Sequence, residues 1–102
     1  MTPIPAVIER VIAAMSALVA LGETIEEEWT YVHDLELVWV ARLRAVATER
    51  TAAGAPAATP GLEAAIEQLC AETARITDPH RAIDWLSTLP QATLVAIGEV
   101  AW

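Results

Sequence analysis

Two histidine–carboxylate pairs stand at helical spacing in this chain: His33 with Glu36 (i, i+3) and His80 with Asp84 (i, i+4). On facing helices they would offer two imidazoles and two carboxylates, a donor set for a divalent metal in a bundle core. A second polar concentration is acidic: Glu23, Glu26, Glu27 and Glu28. Nucleophilic chemistry finds little material. Ser16 sits among apolar residues, Ser87 stands near a helix end, and neither is set in the Gly-rich turn of a nucleophile elbow. Cys70 is the only cysteine, so neither a zinc-binding pair nor an internal disulfide is possible.

Each cluster also has a plainer reading. The Glu-x-x-His order of ferritin-like di-iron proteins is absent, because Thr30 stands three residues before His33. The glutamate cluster resembles the acidic helices that hold magnesium in all-helical nucleotide pyrophosphohydrolases. The second motif of that pattern, Glu-x-x-Asp, is missing: Tyr31, Arg75 and Arg81 precede Asp34, Asp78 and Asp84. The cluster is therefore read as helix-start electrostatics, where the positive end of the helix dipole favours carboxylates. No Gly-rich phosphate loop occurs, and no cofactor is expected.

The 102 residues bound the rest, since a chain of this length forms one domain, 1–102, able to bury a core without disulfides or metal. All six basic residues are Arg, against 14 acidic ones, and the net charge is −8. Phosphate backbones and anionic membrane surfaces repel that balance, so no nucleic-acid or membrane partner is expected. Acidic and Arg residues also mix along the chain rather than forming a DNA-like stripe. The Ala-rich, Lys-free composition fits a GC-rich bacterial genome, and the lone Cys70 fits a reducing, cytoplasmic compartment. Val11 to Leu21 is apolar but shorter than a membrane span, and Glu9 beside Arg10 leaves no net positive charge ahead of it for a signal peptide.

Periodicity supplies the elements that would position these groups. Ile4, Val7, Ile8, Val11, Ile12, Met15, Leu18 and Val19 recur at the helical period and predict a helix over about 4–21. Pro3 and Pro5 suit its start, and Gly22 suits a left-handed residue past its end. The run 24–50 contains neither Pro nor Gly and predicts the longest helix, around which the other elements should assemble. Thr24 and Glu27 have capping-box spacing at its start, and Ile25, Trp29, Val32, Leu35, Trp39, Leu43 and Val46 form its stripe. Leu37, Val38 and Val40 fall off that stripe, which implies neighbours on more than one face.

Residues 51–60 read as a flexible loop with Thr59 as a cap. Three shorter helices are expected at about 60–76, 79–87 and 91–100, the last two separated at Pro90. No segment alternates with period two, so no sheet is expected. The fold class is all-α, a small bundle whose first two helices form a hairpin.

These readings lead to a functional expectation. A final helix apolar on nearly every side, and a long helix of about 40 Å beside a globule about 34 Å across, both call for a neighbouring chain. The expectation is a non-enzymatic interaction module, accessory or regulatory, that forms a homodimer and has room for a further protein partner. Its contact residues would be Trp85, Leu94, Ile97 and Trp102. The alternative is a bundle holding a small ligand or a metal through His33, Glu36, His80 and Asp84.

Overall fold

The computed structural model describes residues 2–25, 29–55 and 57–98, with the side chains of Trp29 and Thr30 also outside the description. The chain is all-α, with four helices and no strand among the described residues: α1 Ile4–Gly22, α2 Trp29–Ala52, α3 Pro60–Ala74 and α4 Pro79–Ile97. Directions follow from side chains near the helix ends. Glu9 meets Arg44 and Gly22 lies beside Val32, so α1 and α2 run antiparallel, as the expected hairpin requires. Thr2 meets Glu63, Thr73 meets Trp85, and Arg50 meets Ile97, which completes an up-down-up-down bundle.

The centre of the bundle is α1, not α2. Helix α1 packs against all three others, and α4 does the same, whereas α2 and α3 barely touch. The cross-section is a rhombus with α1 and α4 across its short diagonal and α2 and α3 at the far corners. Seven of the eight residues in the predicted α1 stripe are buried, and Ile12 is half-buried. From Ile4 to Gly22, α1 is also 19 residues long with a mean hydropathy of 1.9, enough by length and composition to cross a membrane. The apolar run read as too short is thus extended by its first two turns. Here α1 is the core helix of the bundle, with eight of its residues buried.

Gly22 departs from the expected left-handed position. It is the last helical residue and is buried, and a Cβ on it would lie 3.1 Å from Ile83 Cγ1 and 3.3 Å from Val32 Cγ2. A missing side chain there lets α1, α2 and α4 close together. Left-handed turns occur instead at Gly54 after α2 and at Gly98 after α4, with φ 80° and 91°. Ala55 N–H donates to the Arg50 carbonyl and Gly54 N–H to that of Thr51, the paired bonds of a Schellman motif that stops α2. Thr24 also acts away from its expected place. Its hydroxyl donates to the Leu21 carbonyl at 2.7 Å, at the end of α1. The Glu27 arm of the expected capping box, and Glu26 and Glu28, lie outside the described residues.

The two predicted fourth and fifth helices are one. Pro90 lies inside α4, fully buried beside Leu86, Leu89, Thr93 and Leu94. An internal proline costs about 3 kcal/mol in lost hydrogen bonding and ring clash. Here burial of both flanking turns on one face outweighs that cost, and the Thr93 hydroxyl satisfies itself on the Leu89 carbonyl at 2.8 Å. Joining the segments also reveals a polar stripe, Arg81, Asp84, Thr88 and Gln91, all exposed. The final helix is therefore amphipathic rather than apolar all round.

The predicted caps at Thr59 and Asp78 are both made: Thr59 Oγ1 accepts from Leu62 N–H at 3.1 Å and Asp78 Oδ1 from His80 N–H at 3.2 Å. The 51–60 segment is anchored near its end. Ala58 is buried, its N–H donates to the Thr2 carbonyl at 2.8 Å, and Pro3 and Ala57 form an isolated antiparallel bridge. Thr2 N–H in turn donates to Glu63 Oε1 at 3.2 Å.

Hydrogen bonding from Thr2, side chain first and backbone second, holds the Glu63 carboxyl below its ordinary range. A depressed folded-state pKa adds stability above the unfolded pKa, and this is lost as pH falls through the folded value. The difference in urea unfolding between wild type and Glu63→Gln should therefore be present near neutral pH. It should close as the pH is lowered through about 4 and below.

Candidate interaction surface

The four metal candidates do not gather. No group of three or more His, Cys, Asp or Glu able to hold a metal forms among the described residues. His33 Nε2 meets Glu23 Oε1 at 2.5 Å, across the α1–α2 turn, rather than joining His80. His80 and Asp84 are exposed and share an open groove of about 440 Å³ with Tyr31, Ile83 and Ser87, between α2 and α4. Neither His33 nor Glu36 lines that groove. Cys70 is half-buried, and burial pushes its thiol up, so it is protonated and a weak nucleophile at neutral pH.

The expected contact residues fare unevenly. Leu94 is only 1% exposed and belongs to the core, so it offers nothing to a partner. This is a correction: Pro90 does not end the helix, and the continuous α4 turns Leu94 inward beside Leu86 and Leu89. Trp85 is half-buried with its polar edge already used, since Nε1–H donates to Thr73 Oγ1 at 2.8 Å and the Thr73 hydroxyl donates in turn to the Leu69 carbonyl. One side of its ring lines a shallow groove with Glu72, Arg75, Ile76 and Arg81. Ile97 is half-buried against the core, and its carbonyl accepts from Arg50 Nη2 at 2.9 Å. Trp102 lies outside the described residues.

Apolar surface is exposed elsewhere, on α2. Tyr31, Leu37 and Val38 are 53%, 68% and 66% exposed, the large apolar side chains left most open among the described residues. The same helix buries Val32, Leu43, Val46 and Ala47 on its opposite side. Leu37 and Val38 had already fallen off the predicted stripe, but a position at the corner of the rhombus gives them no neighbour within the chain. Ala41 and Ala45 continue the open face, with Asp34 and Arg42 at its flanks, all exposed.

Across the α1–α2 groove, Arg44 makes a two-pronged contact to Glu9 at 3.1 and 3.4 Å. Both residues are well exposed, so the pair adds little stability. Comparison with protein-family models, curated proteins and solved structures finds no match to this chain.

Proposed function

We propose that this protein is a non-enzymatic helical interaction module, an accessory or regulatory protein, that docks through the outer face of α2. The observation that carries the reading is the exposure of Tyr31, Leu37 and Val38 on one helix whose opposite side is in the core. Large apolar side chains grouped on the surface of an acidic molecule mark a face that another protein covers. On this reading the protein works in the cytoplasm, without a cofactor and away from nucleic acid and membrane.

A photo-crosslinking amino acid at position 38, with a control at exposed Gln68, tests the reading in cells of the source. The expected result is covalent capture of protein, of whatever identity, from position 38 and not from 68. Equal or absent capture at the two positions would overturn it.

A second reading rests on the groove that brings His80 and Asp84 beside Tyr31 and Ser87. Three hydroxyl or imidazole groups and a carboxylate suit a small polar ligand. Elemental analysis and native mass spectrometry of untagged protein test it, with a stoichiometric bound species expected and a bare chain contradicting it.

A further inference from the structure

We propose that the occupant of the α2 face is a second copy of this chain, packed antiparallel about Val38; this rests on the docking-face reading above. Along one strip of that face stand Tyr31, Asp34, Val38, Ala41, Arg42 and Ala45, all exposed, with Leu37 at its edge. Asp34 and Arg42 stand four residues to either side of Val38. About 12 Å apart along the axis, they do not reach each other within one chain.

Neither has a helical partner. The positions three and four residues from Asp34 are Thr30, Tyr31, Leu37 and Val38, and those around Arg42 are Val38, Trp39, Ala45 and Val46. No ion pair of either is formed among the described residues. A second copy laid antiparallel with Val38 on the two-fold axis sets each Asp34 level with the other chain's Arg42, twice over. A parallel copy would instead set Asp34 against Asp34 and Arg42 against Arg42.

Size follows the same symmetry as charge. Antiparallel pairing sets the bulky Tyr31 level with the small Ala45, again twice, with Val38 meeting itself between them. Alanines at 41 and 45 let the axes approach to the short end of the usual 8–10 Å. The strip has one negative and one positive charge, so its centre is neutral although the whole chain is at −8. Such a self-complementary patch is what an isologous two-fold interface requires.

The test is a charge swap read by native mass spectrometry and analytical ultracentrifugation, with circular dichroism to confirm the fold. Asp34→Arg places arginine against arginine at both ends of the contact, and Arg42→Asp places aspartate against aspartate. Each variant alone should dimerise about ten-fold more weakly than wild type, two attractions having become two repulsions. Mixed in equal amounts, they should form a heterodimer of near wild-type affinity, and the doubly swapped chain should again pair with itself.

Equal dimerisation of all four proteins, or two singles that do not pair when mixed, would overturn the antiparallel contact. A monomeric wild type would also overturn it. If position 38 still captured another protein in cells, the docking-face reading would stand with a different occupant.

Discussion

Met15→Ala should lower the free energy of unfolding by about 2–5 kcal/mol. Met15 is fully buried at the middle of α1, the helix that touches all three others. Its loss removes apolar transfer energy and leaves a cavity that several elements would have to move together to fill. Against a total of about 5–15 kcal/mol for a domain of this size, that is a large share, and a fall of ten degrees or more in Tm follows. Gln68→Ala, exposed on α3 and away from the α2 face, should stay within about 0.5 kcal/mol of wild type. Thermal and urea unfolding of the two variants would measure the contrast. Comparable losses at both sites would contradict the central place of α1 in the core.

Val38→Cys in a Cys70→Ala background should become almost entirely a disulfide-linked dimer when oxidised by air, each new bond releasing two protons and passing two electrons to oxygen. Position 38 lies on the proposed two-fold axis, where two Cα atoms of close-packed helices fall within the distance a disulfide spans. The control is Ala45→Cys in the same background, two turns along the same strip. In the antiparallel arrangement the two copies of position 45 are about 21 Å apart along the axis, and no link should form. Non-reducing electrophoresis separates the outcomes. Linkage at both positions would indicate parallel helices, and linkage at neither would remove the contact.

Most of the fold could be read from the chain because the strongest signals were local. The α1 stripe needed only the helical period, and Thr59 and Asp78 declared their helix starts through the proline that follows each. Pro90 was misread because its cost is local and its compensation is not: only the packing of Leu86, Leu89 and Leu94 shows that burial on one face carries the helix through. The same error turned Leu94 into a surface residue and hid the polar stripe of α4.

The role of α2 was misjudged for a related reason. A long run rich in apolar residues looks central, yet composition does not say which sides have neighbours. At 43 × 24 × 23 Å, the molecule is long enough to hold 24 residues of helix without an overhang. The length argument for a partner therefore falls away, and the exposed pair Leu37 and Val38 takes its place. Of the candidate site, the sequence marked those two as anomalous, but which side of the helix the bundle would leave open depended on the three-dimensional arrangement. Gly22 was likewise visible as a glycine, while its reason, the approach of Ile83 and Val32, depends on tertiary packing.

If a second copy of the chain covers the outer face of α2, solution mass by light scattering across a hundredfold range of concentration will register it. Wild type should reach a species of twice the 10.9 kDa chain mass at the upper end, and Val38→Glu, with its fold intact, should remain a single chain throughout. A wild type that stays at one chain mass over the whole range, indistinguishable from Val38→Glu, would contradict it.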